Sequence, residues 1–417
     1  MKLNLQAIKL AKGIHWVGAN VHTEDLFEGI WPIPDGVALN AYTVQGDKTA
    51  VIELVREWGG AAMTFMKGLN DLDIDPKNLD YIILNHLEPD HTGFTYMFRS
   101  LAPNATIVTT EKGAALVEGF YGITENIHVV KTGDSLDLGQ GKILHFTELP
   151  NVHWPETMGT YEESSGILFS SDAFGSYGIH KGSIFDDEQP EAIKPYWEEE
   201  MVRYYANIVA KFSGNVLNAI DKLGGVDIKM IAPSHGLIWR GNPGIVIKKY
   251  LRYANYSKDF QEPEITIIWG SMYGNTETML NAIIKGASEE DIPIHVHQVP
   301  NKDASFILAD AFKSSGLIIG CPTYEYGMFP PMKYMLEILN EKLIRFKKVG
   351  FFGSYGWSGG AKRDFDDLSD RMKWDIEEPL LFKGYPTREE IQKGEELGRT
   401  IARKVKEIPS KIEGEEY

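Results

Sequence analysis

From Ile265 onward, short apolar runs alternate with amphipathic stretches in a regular order. There are four such runs, each followed by a stretch with helical periodicity: Ile265–Trp269, Ile294–Val296, Gly316–Ile319 and Lys348–Phe352. Strands that alternate with helices at this spacing predict a parallel sheet covered by helices on both faces. The last helix of the series is predicted over Arg388–Lys406.

The residues before this region predict a separate domain. Strands are predicted at Ala50–Val55, Tyr81–Leu84, Thr106–Thr109, Lys142–Thr147, Gly166–Phe169 and Ile228–Ala232. Helices are predicted at Glu111–Phe120, at Gly244–Tyr256 and over the long stretch Glu191–Leu223, for which Gly214 is the candidate break point. The polar stretch Ser257–Glu264 contains Pro263 and is interpreted as a linker. Because 417 residues exceed one ordinary core, we predict two domains, residues 1–256 and 257–417.

The net charge and the cysteine content limit the kinds of binding partner and metal ligand that this chain can have. A net charge of −17 argues against nucleic acid, which requires a basic footprint. The segment Met1–Gly18 lacks the apolar core of a signal peptide and no later run could span a bilayer, so we expect a cytoplasmic protein without a membrane partner. Cys321 is the only cysteine, which excludes an internal disulfide or a cysteine cage, and we interpret it as a small buried thiol. Any metal must therefore bind His, Asp and Glu, and any rubredoxin-type relay must lie on another polypeptide.

The densest group of potential metal ligands follows the predicted strand Tyr81–Leu84. It places His86, Glu88, Asp90 and His91 within six residues. Three more potential ligands each follow a predicted strand or its adjoining loop: His153, Asp172 and His235. A single His or Asp after a strand is usually a turn residue, but this repeated arrangement predicts convergence on one edge of a β-sandwich.

These segments resemble the metallo-β-lactamase superfamily, whose usual motif is His-x-His-x-Asp-His. Here Glu88 replaces the second histidine and gives His-x-Glu-x-Asp-His. Mixed histidine and carboxylate ligation suits iron that changes oxidation state, whereas zinc has no redox chemistry.

Three loops of the C-terminal region predict a flavin site. The first follows Ile265–Trp269, opens a helix and offers backbone N–H groups and hydroxyls to a phosphate. It lacks both the Lys of a Walker loop and the Gly-x-Gly-x-x-Gly pattern of dinucleotide binding. The other two carry glycines and aromatic rings where an isoalloxazine ring stacks at a switch point of the sheet. The predicted flavin-binding residues are Ser271, Met272, Tyr273, Gly274, Asn275, Thr276, Pro322, Thr323, Tyr324, Glu325, Tyr326, Gly327, Ser354, Tyr355, Gly356, Trp357, Gly359 and Gly360. Together the loops resemble those of flavodoxins.

The two motif sets, in this order, resemble the flavodiiron proteins over about residues 10–405. The resemblance implies an α/β multidomain fold: an N-terminal metallo-β-lactamase-like αββα sandwich plus a C-terminal flavodoxin-like doubly wound parallel sheet. It also implies FMN and two iron ions (a diiron centre) that reduce dioxygen to water or nitric oxide to nitrous oxide. By the same resemblance, one iron takes His86, Glu88 and His153, the other takes Asp90 and His235, and Asp172 bridges them. His91 matches the motif, although in some members of the family that histidine swings away.

The resemblance further implies a head-to-tail homodimer or homotetramer and an external electron donor, either rubredoxin or a reduced deazaflavin coenzyme. Two other functions are compatible with parts of the sequence. One is a dizinc metallo-hydrolase with an attached flavodoxin module, against which Glu88 argues. The other is an electron carrier whose first domain is structural, against which the intact ligand set argues. The ligands are the same for both gases, so the sequence does not discriminate between them. Nor does it assign a role to Glu53–Glu57, which stands where we expected an Asp-containing strand end.

Overall fold

A computed structural model describes residues 7–412 as two compact units. The N-terminal unit holds the described residues up to Tyr204 together with Gly214–Leu251. The C-terminal unit holds Tyr205–Ser213 together with the described residues from Arg252 onward. The boundary after residue 256 stays a prediction, and the first six residues of the segment Met1–Gly18 lie outside the described part of the chain.

The N-terminal unit contains a seven-stranded sheet in the order β1-β2-β5-β6-β7-β8-β9. Its strands are β1 (Ile8–Ala11), β2 (Ile14–Trp16), β5 (Tyr42–Gln45), β6 (Thr49–Ile52), β7 (Tyr81–Ile83), β8 (Thr106–Thr109) and β9 (Ile127–Val129). The strands from β6 to β9 are parallel, and the others pair antiparallel. A separate two-stranded ribbon joins β3 (Ala19–Val21) to β4 (Val37–Leu39).

A five-stranded sheet in the order β10-β11-β12-β13-β14 faces the first. Its strands are β10 (Ser135–Asp137), β11 (Ile143–Glu148), β12 (Met158–Glu162), β13 (Ile167–Phe169) and β14 (Met230–Ala232). Buried side chains of both sheets form one hydrophobic core, in which Tyr42 and Phe169 approach to 5.0 Å between ring centroids. Side chains that interdigitate from two sheets make a sandwich. The last strand pair, β13 and β14, is parallel, so the loops after these strands leave at the same edge.

Seven helices belong wholly or largely to the N-terminal unit: α1 (Ala61–Asp71), α2 (Pro89–Thr92), α3 (Thr95–Leu101), α4 (Glu111–Tyr121), α5 (Lys194–Tyr204), α6 (Ser213–Leu223) and α7 (Pro243–Asn255). Helix α4 is capped at its N-terminus by Thr110, whose hydroxyl accepts a hydrogen bond from Gly113 N, and at its C-terminus by Gly122 in the left-handed conformation. The sandwich with its helices confirms the predicted metallo-β-lactamase-like architecture.

The C-terminal unit is a doubly wound sheet in the order β16-β15-β17-β20-β21, with β22 also paired to β20. Its strands are β15 (Glu262–Trp269), β16 (Ile294–Gln298), β17 (Ser314–Gly320), β20 (Lys348–Tyr355), β21 (Asp375–Ile376) and β22 (Leu380–Lys383), and a hairpin joins β18 (Thr323–Tyr324) to β19 (Gly327–Met328). Its helices are α8 (Asn275–Ala287), α9 (Ala304–Lys313), α10 (Pro330–Glu341), α11 (Gly360–Ser369) and α12 (Arg388–Lys406). The central strands are all parallel, and their order is the 2-1-3-4-5 order of flavodoxins. The predicted flavodoxin-like sheet is confirmed.

The break point predicted for the long helix Glu191–Leu223, at Gly214, is wrong. Helix α5 ends at Tyr204, a widened π-helical turn covers Tyr205–Val209, and α6 restarts at Ser213, so Gly214 lies inside a helix. A helical glycine costs only about 1 kcal/mol relative to alanine. Gly214 therefore did not have to interrupt the helix, and a widened turn leaves no mark in the hydrophobic periodicity.

The predicted linker Ser257–Glu264 is also partly wrong, because β15 already begins at Glu262. The Glu262 side chain is buried and accepts hydrogen bonds from Tyr256 Oη at 2.5 Å and from Ser410 Oγ at 2.9 Å. One of these partners, Ser410, lies 148 positions along the chain and helps to hold a polar residue inside the unit. The strands β1–β5, each three or four residues long, were not predicted.

Within residues 7–412, every helix is too short or too polar to cross a lipid bilayer.

Candidate metal centre and flavin site

The structure brings all seven predicted metal ligands together at one end of the sandwich. Four lie on the segment that follows β7, where Leu84 is succeeded by the loop and the short helix α2. The other three follow β11, β13 and β14, and all seven are buried. They form two groups, His86 with Glu88, His153 and Asp172, and Asp90 with His91 and His235.

In the first group, the Nε2 atoms of two imidazoles surround one carboxylate oxygen. His153 Nε2 lies 2.9 Å from Glu88 Oε2, and His86 Nε2 lies 3.4 Å from the same oxygen. Both nitrogens also lie close to Asp172 Oδ2, at 3.1 Å for His153 and 3.3 Å for His86. Two nitrogens and two carboxylate oxygens that converge in this way suit one divalent cation.

The second group repeats the pattern around Asp90. His235 Nε2 lies 3.1 Å and His91 Nε2 lies 3.4 Å from Asp90 Oδ2. The other oxygen of the shared carboxylate, Asp172 Oδ1, lies 3.1 Å from His91 Nε2 and 3.6 Å from His235 Nε2. Asp172 therefore presents Oδ2 to the first group and Oδ1 to the second.

The chemistry of these atoms fits metal ligation better than a hydrogen-bond network. Within the described residues, neither carboxylate oxygen of Asp90 nor His235 Nε2 has a hydrogen-bond partner, although the two residues lie close together. Buried polar atoms left in this state are costly unless something else satisfies them. His235 Nδ1 is already occupied, because it donates to Ala38 O at 2.8 Å. Its Nε2 is thus the nitrogen that a cation would use.

Charge also couples these side chains. Burial alone would raise the pKa of Glu88, but the hydrogen bonds with His153 and His86 outweigh burial and hold that pKa below its ordinary value. Burial would lower the pKa of His153, yet its contacts with Asp172 and Glu88 raise the pKa to about 9. The protons that the carboxylates hold on these imidazoles are the ones a metal ion must displace.

Sequence reasoning missed two acidic residues of this region. Glu53 directly follows β6, has a left-handed φ of 58° and is only 1 % exposed, so burial raises the pKa of its carboxyl well above the ordinary value. Glu156 contacts His86 Nδ1 from the side away from the carboxylate cluster. The sequence does contain a sign of each residue. Glu53 is a charged residue at the end of an apolar run, and Glu156 lies three residues after the predicted ligand His153.

The predicted phosphate loop lies between β15 and α8. Ser271 Oγ accepts a hydrogen bond from Gly274 N at 2.9 Å, which closes the loop. Gly274 has φ 94° and precedes the first residue of α8, and a Cβ atom added there would meet nothing within 4 Å. The conformation favours glycine, and the open space lies at a helix N-terminus, where an anion binds well.

The three predicted flavin loops follow the carboxyl ends of the neighbouring strands β15, β17 and β20 and contact one another. Thr276 Oγ1 lies 3.0 Å from Ser354 Oγ, and Ala361 N donates to Thr323 Oγ1 at 3.3 Å. The rings of Tyr326 and Trp357 meet edge to face at 6.3 Å. The predicted flavin residues thus lie at one end of the sheet, in these loops or at the adjoining ends of strands and helices, where doubly wound folds bind their ligands.

Gly360 shows why one of these positions needs glycine. A Cβ atom there would lie 1.7 Å from Tyr326 O, so the third loop can approach the β18–β19 hairpin only without a side chain. The turn of this hairpin is formed by Glu325 and Tyr326, which both have left-handed φ values, of 45° and 66°. Such a turn matches the twist of a two-stranded hairpin.

Cys321 lies beside this site but carries no signal of reactivity. It is fully buried, and burial raises the pKa of its thiol to about 12. A thiol that stays protonated is a poor nucleophile, in agreement with the prediction of a structural role.

Comparisons with known proteins agree with both halves of the chain. The ODP family of β-lactamases matches residues 39–236, and the flavodoxin family matches residues 267–397. The anaerobic nitric oxide reductase flavorubredoxin of Vibrio vulnificus is 37% identical over 360 residues, which are 85% of this chain and 71% of that protein. The protein of the same description from Escherichia coli is 35% identical over 408 residues, with 95% of this chain and 82% of that protein covered.

Solved structures show the same likeness over both units. The rubredoxin oxygen:oxidoreductase of Desulfovibrio gigas matches with a TM-score of 0.89 and 29% identity and covers 96% of this chain and 99% of its own. A flavoprotein of Thermotoga maritima matches with a TM-score of 0.87 and 30% identity and covers 96% and 98%. Fold and relatives together define an oxidoreductase that joins a metallo-β-lactamase-like unit to a flavodoxin-like one. The chain belongs to the flavodiiron protein family, whose cofactors are FMN and a pair of irons. Its flavodoxin domain implies FMN, and the two groups of potential ligands fit the two irons.

Proposed function

We propose that this protein reduces dioxygen to water, nitric oxide to nitrous oxide, or both, at a non-haem diiron centre that receives its electrons from FMN. The observation that carries the proposal is the position of Asp172, whose two oxygens each face a different group of imidazoles. A carboxylate in that position can bridge two metal ions. The named relatives support either gas as the substrate, since one relative is described as a nitric oxide reductase and another as a rubredoxin oxygen:oxidoreductase.

The proposed ligands of the first iron are His86, Glu88 and His153, and those of the second are Asp90, His91 and His235. We include His91 among the ligands because its Nε2 atom lies within 3.4 Å of a carboxylate oxygen of Asp90 and of one of Asp172. Three carboxylates and four imidazoles form a site that suits iron in either oxidation state. When bound, FMN supplies electrons to the two irons, and the irons supply them to the gas.

The protein itself contributes position and burial. Every proposed ligand is buried, so bulk water competes little for the metal or the gas. The proposed flavin residues would hold the phosphate at the N-terminus of α8 and the ring between the second and third loops. Tyr273, Tyr326 and Trp357 expose 94%, 64% and 76% of their surface. Exposed rings at this end of the sheet support the proposal of a head-to-tail homodimer or homotetramer, in which a second subunit covers the flavin.

The electron donor is proposed to be rubredoxin or a reduced deazaflavin coenzyme. A rubredoxin-type iron site needs four cysteines, whereas these 417 residues contain only Cys321. The donor's redox centre therefore lies outside them.

Asp172→Asn tests the proposed function, because it keeps the shape of the side chain and removes its charge. We expect the variant to retain FMN, to lose iron, and to reduce either gas at least about 100-fold more slowly, since second-shell changes alone already cost 10–100-fold. Asp227→Asn is the control: that carboxylate lies in the same unit, with its side chain 84% exposed beside Lys229. A variant at Asp172 with wild-type iron content and turnover would contradict the proposal.

A further inference from the structure

One buried carboxylate of the metal-binding end is outside the proposed ligand set. Glu156 lies in the loop between β11 and β12, and its side chain is 0% exposed. Its Oε1 accepts hydrogen bonds from His86 Nδ1 and from Leu87 N, both at 3.0 Å. Thr110 Oγ1 donates to the Glu156 carbonyl at 3.0 Å and anchors the residue. The next polar atom near His86 Nδ1 is Thr157 Oγ1, which is farther, at 3.4 Å.

The negative charge of Glu156 depends on His86 for its compensation. Among the described residues, its one ion-pair contact is with His86, and Glu156 Oε2 has no hydrogen-bond partner. A buried carboxylate is strongly unfavourable unless a positive charge lies close to it. The nearest place for a compensating charge is the far side of the imidazole, where His86 Nε2 faces the proposed first iron.

The second group of ligands lacks such a carboxylate. His235 Nδ1 donates to the neutral carbonyl of Ala38 at 2.8 Å, and His91 Nδ1 has no hydrogen-bond partner within residues 7–412. The first group therefore has a carboxylate beside the Nδ1 atom of one of its imidazoles, whereas in the described part of the chain the second group has none. Counting Glu156 with the three ligand carboxylates gives four negative charges, which equal the charge of two ferrous ions.

We propose that Glu156 is a positioning residue that makes the His86 side of the centre the one that binds its metal more tightly and favours its more oxidised state. The inference rests on the proposed function. The hydrogen bond keeps the proton on Nδ1 and leaves the Nε2 lone pair for the metal, and a carboxylate partner makes an imidazole more basic. Because electrostatic attraction scales with charge, the same carboxylate stabilises a ferric ion more than a ferrous one.

Glu156→Gln removes the charge and keeps the size of the side chain and an oxygen for Leu87 N. The measurements use the full chain with FMN bound: anaerobic titration of the iron-free protein with ferrous iron, and a redox titration of the iron-loaded protein followed by electron paramagnetic resonance. We expect one of the two iron-binding steps to weaken by about 10–100-fold while the other is unchanged. The potential of one iron should rise, by about 59 mV for each tenfold loss of ferric over ferrous affinity.

Glu162→Gln is the matched control. Glu162 is equally buried in the same unit, but its partners are Ser164, Ser165 and Lys142 and not a proposed ligand. We expect both iron-binding steps and both potentials of that variant to match the wild type. Glu156→Asp keeps the charge. The iron potential of this variant should lie nearer the wild-type value than the potential of Glu156→Gln does. If Glu156→Gln does not fold, Glu156→Asp should still show the wild-type potential.

Two outcomes in Glu156→Gln would overturn the inference: equal weakening of both iron-binding steps, or an affinity and potentials that move no more than in the control. If Glu156→Gln does not fold, a potential of Glu156→Asp that moves by more than that of the control would overturn it. The proposed function is judged separately, on the wild type. A wild-type protein that binds two irons and reduces neither gas would refute the function, while the difference between the variants would still decide the role of Glu156.

Discussion

His180→Gln should change how the stability of the N-terminal unit depends on pH. His180 is 3% exposed, its Nε2 donates to Gly236 O at 2.8 Å, and its ring packs on Trp16 and Trp197 at centroid distances of 5.7 and 6.4 Å. Burial lowers the pKa of this imidazole to about 4, despite the hydrogen bond to Gly236. The folded protein therefore keeps His180 neutral at pH values where the unfolded chain protonates it.

The direction and size of the effect follow from that difference. In the unfolded chain the pKa is about 6.5, so between pH 6.5 and 4 the unfolded state binds the proton and the folded state does not. The contribution of His180 to stability is complete above pH 6.5 and is lost as the pH falls toward 4. A pKa difference of about 2.5 corresponds to at most about 3.4 kcal/mol in the free energy of unfolding.

The assay is urea denaturation of iron-free wild type and variant, followed by tryptophan fluorescence, with the transition of the N-terminal unit fitted separately. Glutamine also alters packing, but that cost is the same at every pH. We expect the stability advantage of the wild type to be about 2–3 kcal/mol smaller at pH 4.5 than at pH 7. His145→Gln, at a half-exposed position of the same unit, serves as the control variant. An advantage of His180 that does not vary with pH would refute the reasoning.

Four further substitutions have definite expected results. Gly398→Ala would place a Cβ atom 2.1 Å from Ile283 O, so helices α8 and α12 must separate, and thermal unfolding should show a loss of about 1–3 kcal/mol in the C-terminal unit. Gly119→Ala in α4 meets no atom within 4 Å and should instead stabilise its unit by up to about 1 kcal/mol; a loss there would contradict the packing argument. Glu88→His restores the His-x-His-x-Asp-His pattern and should shift retention from iron toward zinc in metal analysis after loading with equal amounts of both, whereas unchanged iron retention would show that Glu88 does not select the metal. Cys321→Ala should keep wild-type gas turnover, and the native thiol should react with alkylating reagents only after unfolding, so fast alkylation of the folded protein would disprove its burial.

The sequence predicted the architecture and the ligand segments because both depend on local patterns. Strand β8 and helix α12 have the bounds that their apolar periodicity indicates, and His86 to His91 stand together after a strand. The remaining features depend on contacts between distant residues. The buried Glu262 accepts a hydrogen bond from Ser410, 148 positions along the chain, and no local pattern reveals such a partner.

The same limit explains the acidic residues that were missed. Glu156 contacts His86 across 70 positions of the chain, and Glu53 reaches the metal-binding end because β6 pairs with β7. The position of Asp172 between the two groups depends on the parallel pairing of β13 with β14, which places His235 at the same edge. Spacing predicted that these ligands converge, and the family resemblance implied their division between two irons, but only the structure gives the distances within each group.

The most direct test of the proposed function is metal and flavin analysis of the purified protein, followed by anaerobic mixing of its reduced form with dioxygen and with nitric oxide. The account predicts two irons and one FMN per chain and rapid reoxidation of the flavin by at least one of the gases, with the faster gas as the substrate. Zinc in place of iron, with no reduction of either gas, would contradict it and favour a dizinc hydrolase.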